Sequence, residues 1–143
     1  QHVTYKTGVR DMVNCLKEGA MIGLIMDQDP GDKGQLVPFF GYETLTPVGP
    51  AVLARMRDVP IIPVTIRYDE FKGKHIINVN PPFYAEHTDD KKRDTAITLT
   101  KLNEWLEDYI RRYPEEWFWL HNRWKWTRRY HGHEIEVPPD PMK

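Results

Sequence analysis

Hydrophobic positions follow three spacings along the chain. Val9, Met12, Val13 and Leu16 recur at i, i+3, i+4 and i+7, with Arg10, Asp11, Asn14 and Lys17 turned away from that stripe. Gly19 supplies a C-terminal stop, so the spacing predicts an amphipathic helix over about 8–18. Ala20-Met21-Ile22-Gly23-Leu24-Ile25-Met26 is a continuous apolar run without alternation, the pattern of a strand buried on both faces in a parallel sheet. It ends abruptly at the polar loop Asp27-Gln28-Asp29-Pro30-Gly31-Asp32-Lys33-Gly34. A second helix is predicted from Thr46 as N-cap, with Pro47 in the first helical position, to about Arg57. Its apolar surface is Val48, Ala51, Val52 and Leu53. The β-rich run Ile61–Ile66 follows Pro60 and completes a strand–helix–strand unit, whose two strands are expected to be parallel neighbours. Pro63 in that run marks an edge or a bulge.

Asp69–Lys74 has turn composition, and His75–Asn80 is expected to return as an antiparallel strand, ended by Pro81-Pro82. Residues 86–94 are mostly charged and are expected to form an exposed loop. Asp94 then caps a long helix over about 95–113, with the stripe Leu99, Leu102, Leu106, Tyr109, Ile110 and Tyr113. Glu107/Arg111 and Asp108/Arg112 are favourable i, i+4 pairs on its other side. Pro114-Glu115-Glu116 opens a further helix, which would gather Trp117, Leu120, His121 and Trp124 on one face and turn His121 towards the core as a hydrogen-bonded packing residue. The fold class expected is α/β, with a mixed, partly parallel sheet flanked by helices over residues 1–129. Residues 130–143, with three prolines, are expected to be a flexible tail.

Composition narrows the classes. Of 143 residues, 40% are hydrophobic and 29% charged, which fits a folded domain rather than disorder. The 20 basic and 21 acidic side chains nearly cancel, so net charge makes no case for nucleic acid as a partner. A single cysteine, Cys15, excludes an internal disulfide, and its place beside an apolar stripe suits a packed small residue better than a nucleophile. No apolar run approaches the ~20 residues that span a bilayer. The chain starts at Gln1 and not at Met, which is compatible with a piece of a longer protein.

The loop 27–34 is the first candidate for chemistry, because it follows the end of an expected parallel strand, where open α/β sheets place ligands. An ordinary polar connection is the alternative. Its aspartates lack calcium-loop spacing, with Gly31 and Pro38 where ligands would stand, and no Lys-Ser/Thr follows the glycines as a phosphate loop requires. His131, His133, Glu134 and Glu136 have no second ligand cluster, so an exposed polar tail is preferred over a metal site. The segment 117–129 interleaves Trp117, Phe118, Trp119, Trp124 and Trp126 with Arg123, Lys125, Arg128 and Arg129. That mixture fits the headgroup zone of a membrane surface, with a solvated basic helix end as the alternative and RNA stacking as a third.

Several of these features occur in an ordered set. Asp27-Gln28-Asp29 after an apolar run, then Gly31-x-x-Gly34 and Val37-Pro38-Phe39-Phe40-Gly41, resembles the central motif of the lipid A biosynthesis lauroyl/myristoyl acyltransferases of the lysophospholipid acyltransferase superfamily. Pro114-Glu115-Glu116-Trp117-Phe118-Trp119-Leu120-His121-Asn122-Arg123-Trp124-Lys125 resembles that family's closing signature. Ala54-Arg55 and Pro63-Val64 also fit, and the similarity covers about residues 8–126.

The resemblance implies a glycerolipid-acyltransferase-like fold and an enzyme of the bacterial inner membrane, facing the cytoplasm. Such an enzyme moves an acyl chain from acyl carrier protein to a hydroxyl of a phosphorylated glycolipid, a lipid A precursor, with the thioester as co-substrate and no cofactor. Deprotonating that hydroxyl takes a general base, in this family a His in an H-x4-D/E motif. Here the only such match is His131 to Glu136, after the closing signature, whereas the family places its base upstream. The expectation is therefore the C-terminal portion of a larger acyltransferase, inactive alone, with the base before Gln1. Carried over by the resemblance, Asp27 helps shape the catalytic pocket, and Arg10, Gln28, Lys33, Arg67 and Arg123 are candidate substrate contacts, each cation having a surface ion pair as its alternative. Phe39 and Phe40 are candidates for an acyl groove or for simple core. A different glycolipid acceptor, such as a mannosylated phosphoinositide, or a non-catalytic lipid- or partner-binding module of the same fold are the other readings.

Overall fold

A computed structural model describes residues 8–131. The order is helix α1 (Val9–Lys17), a 3-10 turn (Gly31–Lys33), strands β1 (Gly34–Phe39) and β2 (Tyr42–Pro47), helix α2 (Gly49–Arg57), strands β3 (Val64–Asp69) and β4 (Lys74–Val79), helix α3 (Lys91–Arg112), a 3-10 turn (Pro114–Glu116) and helix α4 (Lys125–His131). The mixed α/β class is as expected. The strands, however, form two separate antiparallel hairpins.

In the first hairpin Gly34 faces Pro47 and Phe39 faces Tyr42. Phe40 and Gly41 make the turn with φ of 51° and 79°, positive at both positions as a two-residue loop of the favoured hairpin type requires. This hairpin was not anticipated from sequence, because Pro38 and Pro47 argue against strands. Val37 and Phe39, two apart and so on one face, are buried. Val37 packs with Ala51 of α2 and Leu99 of α3, and Phe39 with Leu106 and Ile110 of α3, ringed by Trp105, Trp117 and Trp124. Each such buried side chain contributes about 1.5–3 kcal/mol, so the seam between β1 and α3 is the centre of the fold. Phe39 thus belongs to the core.

The parallel strand–helix–strand unit is not present among the described residues. Residues 20–26 form no strand, and Met21 and Ile25 are 92% and 71% exposed. An uninterrupted apolar run says that both faces seek cover, but a strand also takes a neighbour for its backbone, and no described element supplies one. Helix α2 starts two residues later than expected, because Thr46 and Pro47 are held in the β2 ladder; Pro50 serves the first turn instead. Helix α3 starts earlier, since Asp90 accepts hydrogen bonds from the Lys92 and Arg93 amides. Asp94, expected as the cap, is fully buried and paired with Arg55 at 2.8 Å. Pro114 opens a single 3-10 turn, and residues 117–124 form turns and not a helix, so the predicted helical face through Trp117 and Leu120 does not exist.

The second hairpin pairs Val64 with Val79 and Ile66 with Ile77, and these four apolar side chains are exposed on one face. The hairpin meets the chain just after α3: Glu116 of the 3-10 turn accepts from the Tyr68 amide at 2.9 Å, and the Arg67 guanidinium lies 5.5 Å from the centre of the Tyr113 ring. Among the described residues no helix is long and apolar enough to cross a membrane. Residues 132–143, with His133, Glu134, Glu136 and most of the expected tail, lie outside the described residues.

Candidate functional site

The loop 27–34 is built around Asp29. Its Oδ1 accepts from the Gly31 amide at 2.8 Å, an aspartate turning back on its own backbone two residues on. Its Oδ2 accepts from the Trp126 amide at 2.9 Å, in the first turn of α4. Its own amide donates to His121 Nε2 at 2.8 Å, across 92 residues of chain. That bond fixes the tautomer: Nε2 carries the lone pair. Gly31 has φ of +69°, and a Cβ there would touch the Trp126 indole at 3.4 Å. The loop therefore sits against the segment 121–127.

That segment is itself fastened to β2. Arg123 is 1% exposed; one guanidinium nitrogen donates to the Leu45 carbonyl and the other to Thr46 Oγ1 at 3.0 Å, with the Phe39 ring 5.3 Å away. Burial draws the Arg123 pKa down to about 10, opposed by the charges of Asp29 and Asp27, so the side chain remains a cation at neutral pH. Thr127 Oγ1 accepts from the Leu45 amide at 3.0 Å, and Trp124 donates to Thr44 Oγ1 at 2.8 Å. Asn103 of α3 reaches both strands of the hairpin, donating to Thr46 Oγ1 of β2 and to the Pro38 carbonyl of β1.

Asp27 is half-buried, and Gln28 and Lys33 are exposed on the loop. Arg123 lies behind them, enclosed by protein groups. Arg10 is exposed on α1, and Arg67 stacks on Tyr113 beyond the end of α3; among the described residues neither is hydrogen-bonded or ion-paired to Asp27. An open groove of about 620 Å³ beside the 3-10 turn is lined by Leu36, Leu45 and Val48 together with Asp32, Gln35 and Lys92. Two residues of this assembly were not singled out from sequence as parts of one site, Asp29 and its acceptor His121. The Asp-Pro-Gly step at 29–31 signals the local half of the arrangement, but nothing local signals the distant half.

The two motifs that carry the family resemblance thus meet in space. Residues 2–126 match the family of bacterial lipid A biosynthesis acyltransferases. The chain belongs to this family. It is 30% identical over 123 residues to the lipid A biosynthesis palmitoleoyltransferase of Escherichia coli K12, covering 84% of this chain and 38% of that protein. Against the lipid A biosynthesis lauroyltransferase of the same organism it is 32% identical over 120 residues, 82% of this chain and 38% of that protein. A lipid A biosynthesis acyltransferase of Haemophilus influenzae is 25% identical over 116 residues. The chain therefore spans about two fifths of the length of these relatives, and both the Asp27–Gly34 loop and the 121–126 segment of this lipid A acyltransferase family member fall inside the match.

Proposed function

We propose that this chain is the C-terminal portion of an enzyme that transfers an acyl group from the thioester of acyl carrier protein to a hydroxyl of a phosphorylated glycolipid of the lipid A type. The general base, a His in an H-x4-D/E motif, stands upstream of Gln1. It removes the hydroxyl proton, the oxygen attacks the thioester carbonyl, and the tetrahedral intermediate collapses with loss of the carrier thiolate. Asp27 shapes the pocket in which this happens. Gln28 and Lys33 lie beside it on the loop, and Arg10 and Arg67 are contacts for the acceptor's phosphates from other faces. The reaction takes place at the cytoplasmic face of the inner membrane, with the exposed Phe118, Trp119 and Leu120 and the basic residues after them against the lipid. Residues 20–26 and the apolar face of β3–β4 gain their cover, and the partly parallel sheet its missing pairing, from polypeptide outside this chain.

The observation that carries this reading is the bond from the Asp29 amide to His121, which joins the central and closing motifs into one locus. The test is Asp27→Ala in the full-length protein, assayed for acyl transfer from acyl carrier protein to a lipid A precursor. Transfer falls by about 100-fold while the circular dichroism spectrum is retained. Unchanged turnover removes Asp27 from the site and leaves a lipid-binding module of the same fold as the better reading.

A further inference from the structure

We propose that Asp29 is a positioning residue, and that the segment His121–Thr127 sets the place of Asp27 through it. This rests on the reading of Asp27 given above and adds what holds it. Neither Asp27 nor Gln28 makes a side-chain hydrogen bond of its own among the described residues, so their location follows from whatever fixes their neighbour. Asp29 is that neighbour, and three bonds converge on it: to Gly31 within the loop, and to Trp126 and His121 outside it.

The two outside bonds matter because their partners cannot drift. Arg123 and Thr127, on either side of Trp126, are buried and tied to the Leu45 carbonyl and amide of β2, and β2 is paired along its whole length with β1. A chain of fixed contacts therefore runs from the β1–β2 hairpin through Arg123 and Thr127 to Trp126 and His121, and from these to Asp29, two residues after Asp27. Arg123 adds a second effect. It is a buried cation that feels both Asp27 and Asp29, so it balances two carboxylates of one short loop from the interior side. On this reading the closing signature acts on the reaction without touching substrate, and Arg123 supports the loop where the sequence made it a substrate contact.

Misplacing a reacting group by about 1 Å costs on the order of 100-fold in rate with little effect on binding, which is the signature to look for. The variants are His121→Ala, His121→Gln and Asp29→Asn in the full-length protein, with Asp27→Ala alongside. Gln keeps an acceptor at the reach of Nε2, whereas Ala removes it; Asn at 29 keeps the volume but offers one acceptor oxygen to the Gly31 and Trp126 amides and turns a donor towards the other. His121→Ala and Asp29→Asn are expected to lower kcat by about 10- to 100-fold with KM for both substrates within about threefold, and His121→Gln to return kcat to within about threefold of the parent. Hydrogen exchange, read on the same proteins, is expected to accelerate at the Asp29 amide in His121→Ala and at one of the Gly31 and Trp126 amides in Asp29→Asn while the β1–β2 amides stay protected. That measurement decides the matter for any variant too weak to assay. Full activity in His121→Ala and Asp29→Asn beside an inactive Asp27→Ala overturns the positioning role and spares the function. His121→Gln as impaired as His121→Ala, or β1–β2 exchange rising with that of the loop, shows a merely structural residue and overturns it as well. An active Asp27→Ala strikes at the function itself.

Discussion

Gly34 offers a perturbation whose cost can be worked from distances alone. Its backbone, with φ of −90° and ψ of 172°, is ordinary extended chain that any residue adopts, so conformational freedom is not why glycine stands there. Space is. A Cβ would lie 2.6 Å from Pro30 Cγ, 3.0 Å from the Thr46 nitrogen and 3.1 Å from Leu45 Cβ. The proline ring can give way, but the Thr46 backbone belongs to the ladder with β1, and its hydroxyl accepts from both Asn103 and Arg123. Overpacking of this kind costs about 1–3 kcal/mol. With a urea slope of about 2 kcal/mol per molar, a loss of about 2 kcal/mol moves the Gly34→Ala midpoint down by about 1 M. Gly41 is the control. Its φ is +79° with nothing within 4 Å of a Cβ, so there the requirement is conformational, and asparagine, which tolerates the left-handed region, should serve far better than alanine. Unfolding followed by tryptophan fluorescence, with Trp117 and Trp124 packed against Phe39, reports both series. Gly41→Asn should lie near the parent and above Gly41→Ala, whereas Gly34→Asn should be no better than Gly34→Ala. A Gly34→Ala midpoint equal to the parent's, or its recovery by asparagine, would falsify the steric account.

Two further outcomes follow from charged groups. Burial alone would raise the Asp94 pKa, but hydrogen bonds from the Thr88 hydroxyl and amide and from Arg55, with the Arg55 charge, outweigh it and hold the pKa at about 2 against 3.8 for the free side chain. Because the unfolded chain binds this proton first, the contribution is complete above about pH 4–5 and is lost as pH falls towards 2; the drop in unfolding free energy between pH 6 and pH 3 should be smaller in Asp94→Asn, and an unaltered drop would remove Asp94 as its source. Replacing Arg128 and Arg129 with glutamine should weaken binding to anionic vesicles by about 30-fold in flotation assays, at about 1 kcal/mol for each basic side chain near a charged surface, and equal binding would exclude that surface as a lipid contact.

Where local chemistry decides the structure, the sequence was legible. The i, i+3, i+4 stripes of α1 and α3 and the turn before β4 depend on neighbours a few residues away, and they appear as expected. The boundaries failed where a distant partner competes for a residue. Thr46 has the composition of a helix cap, yet Gln35, Asn103 and Arg123 hold it in a strand. Asp94 has the same composition and is taken by Arg55. The loop at 27–34 was visible as a candidate, but its organising residue was only half so: the Asp-Pro-Gly step marks the local bond of Asp29 to Gly31, whereas its tie to His121 comes from 92 residues away. Arg123 misled for a related reason: a cation amid tryptophans resembles a surface patch until its guanidinium is seen against a strand.

The role of that strand explains why the closing segment is irregular. At the Leu36–Leu45 pair the Leu45 amide and carbonyl are met by Thr127 Oγ1 and the Arg123 guanidinium, outside the ladder that joins β2 to β1. An open strand edge is a template for further pairing, and a third strand is the usual way to close it. Here two side chains do so instead, one accepting and one donating, with the Trp124–Thr44 bond beside them. A helix through 117–124 would keep Arg123 and Thr127, four residues apart, near one face but would turn Trp124 by about 100° and His121 by about 160° from Arg123, whereas here the Trp124 indole meets the same strand as the Arg123 guanidinium. Turn structure frees the backbone to follow the strand. Closing the β2 edge and anchoring the Asp29 loop are therefore two consequences of one conformation, and a change that restored regular helix across 117–124 would lose both together.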